Sequence, residues 1–306
     1  DALVAFNTMF SQDGFFFYVP DGVVIDNPIQ LICVSNANLP AISNPRNLVV
    51  VGDNAKASVL MCAHSLSDVE SLSNGATEVF VGENANFDYY KLESTNAKSV
   101  SLSSFVLKQK KNSNVLINDM TLQNGFSRNN ISVDLDGEGA ELTLCGMVIG
   151  DGEQHTDNHT VVNHNVPNCV SKELFKYVLN DASKGAFSGK VFVAKDAQKT
   201  AAYQTNKNIC VGKDAKMFTE PQLEIYADDV KCSHGASTGQ MDEAALFYLR
   251  SRGIPEAEAK MLLMFAFVND VIENIRIDSL QDKIKLMVEK RFRGESSLCK
   301  GCNACK

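Results

Sequence analysis

Up to about residue 235 the chain alternates short β-branched or apolar stretches with Gly, Asn and Asp. Leu48-Val49-Val50-Val51-Gly52-Asp53, Val79-Phe80-Val81-Gly82-Glu83 and Ile131-Ser132-Val133-Asp134-Leu135-Asp136-Gly137 are strand-then-turn signals. Five segments add an Ala after a small or acidic turn. They are Gly52-Asp53-Asn54-Ala55, Gly82-Glu83-Asn84-Ala85, Gly137-Glu138-Gly139-Ala140, Ala194-Lys195-Asp196-Ala197 and Gly212-Lys213-Asp214-Ala215. Their Ala-to-Ala spacings are 30, 55, 57 and 18 residues. If each long gap hides one degenerate copy, the period is roughly 18 to 30 residues, which is in the solenoid range. No amphipathic helix separates the copies, which excludes leucine-rich and ankyrin-type units. A β-solenoid is favoured, each coil pairing with the next at about 4.8 Å. A β-sandwich is the alternative that also supplies many short strands.

After His234 the period becomes helical. Asp242 to Arg252 reads as one helix closed by Gly253. Pro255 opens another, with Glu256 and Glu258 in the first turn where the macrodipole favours acids, running to about Ile275. Asp278-Ser279-Leu280-Gln281 resembles a capping box for a third helix ending before Gly294. The second helix is apolar nearly all round from Met261 to Val268, so it packs on the solenoid or neighbouring helices, with a face left for a partner or wholly internal. The pattern divides the chain into a core over 1–235, a helical region over 236–294 and a Cys-rich tail over 295–306.

Composition narrows the function classes. The 306 residues are 44% hydrophobic and 22% charged, enough for a core and too apolar for disorder. Lys+Arg 29 against Asp+Glu 37 gives a net charge of −8, with no basic run longer than Lys108-Gln109-Lys110-Lys111, so no nucleic-acid partner is expected. The longest apolar run, Met261 to Val268, is far below the ~18 residues of a spanning helix, so no membrane partner is expected. The chain opens at Asp1 without a charged-then-apolar leader.

Of the nine cysteines, six are scattered singly, as reduced thiols of a cytoplasmic protein are. Cys33, Cys62, Cys145, Cys169 and Cys210 read as buried thiols. Cys299, Cys302 and Cys305 form a C-x2-C-x2-C tail without the fourth Cys and the Pro of a ferredoxin run. The tail is a candidate metal site, alone or with a ligand from elsewhere.

Nucleotide motifs fail. Gly185-Ala186-Phe187-Ser188-Gly189-Lys190-Val191 has three residues between its glycines and Val where a phosphate loop needs a hydroxyl. Gly137-x-Gly139 meets Leu142 where a dinucleotide fingerprint wants a third Gly. The chemically loaded segment is Asp228-Asp229-Val230-Lys231-Cys232-Ser233-His234-Gly235. If it is extended, Cys232 and His234 project from one face, which suits soft-metal ligation or thiol activation, or equally a buried thiol beside a hydrogen-bonded imidazole. His155, His159 and His164 cluster in sequence; hydrogen-bonded ladders between coils are the simpler reading, a metal site the sharper one.

A resemblance then joins these residues. Gln154-His155-Thr156-Asp157-Asn158-His159-Thr160, Val166-Pro167-Asn168-Cys169, Phe187-Ser188-Gly189-Lys190, Tyr203-Gln204-Thr205-Asn206-Lys207-Asn208 and Pro221 through Ala236 closely resemble the SufB/SufD family of iron–sulfur cluster assembly proteins. Lys231-Cys232-Ser233-His234-Gly235 and Leu249-Arg250-Ser251-Arg252-Gly253 look like its SufD branch. The resemblance implies a right-handed parallel β-helix followed by a small C-terminal helical domain. It also implies a non-catalytic scaffold that pairs with a SufB-like protein through the β-helices and binds a SufC-like ATPase through the helices. His234 would be the likeliest ligand of a transient cluster shared with the partner, with Cys232 close by and no cofactor stably held by the isolated chain. Phe247, Tyr248, Arg250, Met261, Leu262 and Phe265 are the candidates for the SufC-binding surface. The isolated chain is expected to pair with itself, and the family's N-terminal helical region is expected to be absent. The competing readings are a β-helix carbohydrate-active enzyme and an independent metal-binding protein acting through the tail.

Overall fold

The turn-Ala segments are the corners of a coil. Asn54, Asn84, Asn112 and Asn168 sit at φ 58°, 55°, 53° and 61°, and Gly139 takes the same left-handed position at 75°. Asn and Gly tolerate this region best, which is why they recur there. The next residues, Ala55, Ala85, Ser113, Ala140 and Cys169, are all buried. Ala55, Ala85, Ser113 and Ala140 each donate their N–H to the carbonyl three residues earlier, at 3.2 to 3.4 Å. Ser113 and Cys169 are therefore the two hidden copies; at the next corner the left-handed residue is Lys199, at φ 63°, and the buried one Thr200, three residues past Ala197, so the corner recurs every 27 to 31 residues. The corners stack: Asn84 Nδ2 donates to Asn54 Oδ1 and Asn112 Nδ2 to Asn84 Oδ1, both at 3.2 Å. Gly212–Ala215 lies at the opposite corner, which explains its odd spacing of 18.

The computed structural model describes residues 2–295. Along the chain, α1 (Ala2–Phe10) precedes β1 (Phe16–Val19), β2 (Ile29–Ser35), β3 (Ala41–Ser43), β4 (Arg46–Val51), β5 (Lys56–Ser65), β6 (Ser71–Val81) and β7 (Asn86–Ser94). There follow β8 (Ser99–Gln109), β9 (Asn114–Gln123), β10 (Phe126–Leu135), β11 (Glu141–Gly150), β12 (His155–His164) and β13 (Val170–Leu179). The series ends with β14 (Lys184–Val193), β15 (Ala201–Cys210), β16 (Lys216–Ile225), β17 (Lys231–Gly239), α2 (Glu243–Ser251), α3 (Glu256–Glu273) and α4 (Asp278–Phe292).

One sheet runs β1-β4-β6-β8-β10-β12-β14-β16, with β3 also beside β6; the other runs β17-β15-β13-β11-β9-β7-β5-β2. Pairing is parallel throughout, and each coil gives one strand to each sheet, which makes a β-solenoid of about eight coils. Between the sheets lies a core that includes Val79, Phe87, Leu107, Val115, Val133, Leu142 and Tyr177.

The two sheets differ on their outer faces. β10 alternates buried and half-buried residues, as expected of a strand with one face in solvent, whereas β9 is buried over its eight central residues. The reason is that α3 and α4 lie on the second sheet. Tyr90, Leu92, Leu116, Met120, Cys145 and Met147 pack there against Val268, Val271, Ile272, Ile284 and Val288. Polar clamps hold this layer: Asn118 Nδ2 donates to the Val271 carbonyl at 2.9 Å, and Arg276 bonds Asp88 and Asn114 at 2.8 and 2.9 Å.

Several sequence expectations need correction. Asp242 does cap α2, accepting from the Ala244 and Ala245 amides at 2.9 and 3.0 Å. Asp278, however, is already the first helical residue of α4; Ile277 is the cap and makes no side-chain cap bond, so the capping box does not form. Helix α1, unforeseen, is anchored by buried Asn7, which donates to the Pro45 and Asn74 carbonyls. Cys62, Cys145 and Cys169 are buried as expected, but Cys33 is exposed and Cys210 only half-buried. Among the described residues no helix is long and apolar enough to cross a membrane. Cys299, Cys302 and Cys305 lie outside the described residues.

Candidate functional site

β16 and β17 are the last strands of their sheets, and among the described residues no strand pairs with their free sides. The solenoid therefore ends in two exposed backbone edges, the arrangement that invites pairing with another chain. Cys232, His234, Ala236 and Thr238 stand in register with Ala202, Gln204, Asn206 and Asn208 of β15, all four of which are buried. With no coil above, the same inward positions on β17 are uncovered: Cys232 is half-buried and His234 exposed. The period-two reading of Cys232 and His234 thus places them on one face, and that face is the open mouth of the interior.

The mouth has two halves. Cys232 packs at an apolar edge formed by Val193, Ala197, Ala202, Ala227, Leu223 and Val230. This burial raises its thiol above the ordinary value, against the opposing backbone contact at Ala202. His234 belongs to the polar half. Gln204 Nε2 donates to Glu173 Oε2 at 2.6 Å, Asn208 Nδ2 to Asn206 Oδ1 at 2.7 Å and to Thr238 Oγ1 at 3.1 Å, and Thr219 Oγ1 to Asn206 Oδ1 at 2.8 Å. Glu173 is deeply buried, and that burial pushes its carboxyl up to about 7, against the bonds it accepts. Sequence reasoning did not single out Glu173 or Gln204. The coil period would have found them, since Glu173, Gln204 and His234 are successive rungs of one inward column.

The other candidates separate. Gly185–Lys190 lies within β14 and is not a loop at all, so the phosphate-loop likeness has no structural basis. His155 and His159 are on the outer face of β12, His155 against the Phe126 ring at 5.0 Å and His159 Nε2 at 3.2 Å from Asp157 Oδ1. His164 faces inward, its Nε2 2.8 Å from Ser171 Oγ, and burial takes it down to about 4. These three do not meet, and among the described residues no group of three or more His, Cys, Asp or Glu side chains could hold a metal ion. Asp229 pairs with Lys199, and Asp228 beside it is exposed.

On the helices, Phe247 and Tyr248 are 73% and 57% exposed, and Arg252 lies over the Tyr248 ring at 5.2 Å. Arg250 is exposed and reaches Glu256 at 3.4 Å. Leu262 is exposed and Phe265 half-buried, whereas Met261 is 4% exposed and has no surface to offer. The apolar ring of α3 is thus divided: Ala259, Met261, Val268, Val271 and Ile272 turn inward.

Residues 32–267 match the family described as SUF system FeS cluster assembly, SufBD core domain. Residues 1–31 match the SufBD protein N-terminal region, so the expectation that this region is absent is corrected; α1 and β1 fall within it. An iron-sulfur cluster assembly SufBD family protein of Synechocystis is 30% identical over 294 residues, covering 93% of this chain and 65% of the relative. The iron-sulfur cluster assembly protein SufD of Escherichia coli is 32% identical over 249 residues, covering 81% of this chain and 59% of the relative. SufD of Bacillus subtilis is 26% identical over 299 residues, covering 95% and 67%. The chain therefore spans roughly three fifths to two thirds of the length of these relatives. With the core match covering most of its coils and the end that carries Cys232 and His234, the chain belongs to the SufBD family of SUF-system iron–sulfur cluster assembly proteins.

Proposed function

We propose that the chain is a non-catalytic scaffold of SUF iron–sulfur cluster assembly, working in the cytoplasm, whose open coil end pairs with a SufB-like protein. The observation that carries this reading is the juxtaposition of two unpaired edges, β16 and β17, with an uncovered thiol and imidazole between them. Edge pairing supplies the affinity, and inward residues such as Cys232 and His234 become the lining of the joint. The nascent cluster is cargo rather than a resident group. His234 offers it an imidazole, Cys232 stands beside it, and the remaining ligands come from the partner. The coils are right-handed, the sense taken by nearly all parallel crossovers.

The exposed Phe247–Tyr248 face of α2, with Arg250 of the same helix and Leu262 and Phe265 of α3, is the docking surface for a SufC-like ATPase. Aromatic and Arg side chains are the usual anchors of such interfaces. Without a SufB-like partner the open end pairs with a second copy, so the isolated chain is a homodimer. A pull-down with SufB-like and SufC-like proteins, with light scattering of the chain alone at micromolar concentration, tests these assignments. Capture of both partners and twice the chain mass support them; capture of neither, with a single-chain mass, refutes them.

A further inference from the structure

The column beneath His234 does more than fill space. Its rungs are Leu144, Glu173, Gln204 and His234, in register across β11, β13, β15 and β17. The interior is apolar at Leu144 and turns polar over the last three rungs. Gln204 is 2% exposed, and its two amide ends are in different states. Nε2 is committed downward, donating to Glu173 Oε2 at 2.6 Å, while Oε1 is buried with no hydrogen-bond partner. The nitrogen is engaged by the rung below, and the residue in register above is His234.

The opposite sheet makes room for this amide. A Cβ on Gly189 would meet Gln204 Nε2 and the Phe187 ring, which places the amide across the interior from β14. A buried acceptor without a partner has lost its water and gained nothing in return. The amide nitrogen answers the buried Glu173 carboxyl, so it is the oxygen alone that lacks a partner at this rung.

We propose that Gln204 is the positioning residue of His234: its amide oxygen accepts the N–H of one ring nitrogen and leaves the other nitrogen turned out of the mouth toward iron. Glu173 in turn fixes the direction of the amide. Histidines that ligate metals commonly donate their second nitrogen to such a partner, which sets both the tautomer and the ring orientation. The proposal rests on the reading of His234 as a cluster ligand, and it is tested without iron.

The test is a long-range ¹H–¹⁵N correlation spectrum of the full chain labelled with ¹⁵N-histidine, at pH 8. The His234 signals are identified by their loss in His234→Ala. In the wild type the two ring nitrogens should show the separated shifts of a single tautomer. In Gln204→Leu they should move to the averaged shifts of a free ring, and in Gln204→Asn, which is one methylene too short, they should move the same way. Glu173→Gln retains an acceptor for the Gln204 amide and should keep the wild-type pattern. Averaged shifts in the wild type would overturn the proposal, as would wild-type shifts in Gln204→Leu or Gln204→Asn. A cluster yield unchanged in His234→Ala would instead remove the ligand role and leave the tautomer result standing.

Discussion

Lys176 on β13 donates to the backbone carbonyl oxygen of Phe267 on α3 at 2.7 Å, across 91 residues of sequence. The ammonium also pairs with Asp270 and lies 4.8 Å from the centroid of the Phe267 ring, and its side chain is almost wholly buried. A buried cation with three partners fixes α3 to the solenoid, so the helical layer and the coils unfold together. Lys176→Met keeps the length of the stem and removes the bonds. It should lower stability by about 1–3 kcal/mol, less than for a fully buried pair because Asp270 can turn to water. Denaturant unfolding followed by circular dichroism should show a lower midpoint with a single transition; separate transitions for helix and strand signals would refute the common unit.

Two buried groups oppose each other in their response to pH. Burial holds Glu173 at about 7 against an ordinary 4.5, so its folded form keeps a proton that the unfolded chain releases. Its contribution is fully present below about pH 4.5 and is lost as pH rises to 7. Burial holds His164 at about 4 against an ordinary 6.5, so its contribution is present above 6.5 and is lost as pH falls to 4. Each displacement is worth on the order of 3 kcal/mol, so the two largely cancel between pH 4.5 and 6.5. Glu173→Gln should therefore expose the His164 slope: the variant loses stability on acidification from pH 6.5 to 4.5 more steeply than the wild type. Equal slopes in urea titrations across that range would contradict the assignment.

The raised Cys232 thiol sets its reactivity in the isolated chain. At pH 7.5 its thiolate fraction is below that of free cysteine, because burial favours the neutral form. Alkylation by iodoacetamide, read by mass spectrometry of the peptide carrying Cys232, should be slower than for a model thiol and should accelerate as pH rises toward 9. Faster alkylation than the model thiol at pH 7.5 would mean an activated cysteine and would count against this environment.

The exposed aromatic pair on α2 gives a separable prediction. Phe247 and Tyr248 bury little in the chain itself, so Phe247→Ala with Tyr248→Ala should shift thermal stability by less than about 1 kcal/mol. Capture of a SufC-like ATPase should fall at least tenfold, as expected when two interface anchors are removed, while pairing through the coil end is retained. Retained capture would move the docking surface elsewhere.

The solenoid was legible because its corners impose local chemistry. A left-handed residue, mostly Asn or Gly, followed by a small buried residue recurs whatever the strands contain; Ser113, Cys169 and Thr200 fill the position that Ala takes elsewhere. The copy at Gly212–Ala215 misled because both corners of a coil use similar turn residues. The face shared by Cys232 and His234 followed from the period of a strand. That this face opens at the end of the interior did not, since it depends on which strand is last. Met261 shows a related limit: a helix apolar all round does not reveal which of its residues are buried. Continuous burial along β9 and β11 is the trace that the covering helices leave in the sequence, and it is visible only once those strands are placed.

The open coil end, with His234 in its mouth, is the place we propose for building a cluster against a SufB-like partner. The most direct test is anaerobic reconstitution of the co-purified complex with iron and sulfide, comparing the wild type with His234→Ala by absorbance per complex. The complex should stay intact in both, with a several-fold lower cluster yield in His234→Ala. An intact complex with unchanged cluster yield would contradict the proposal.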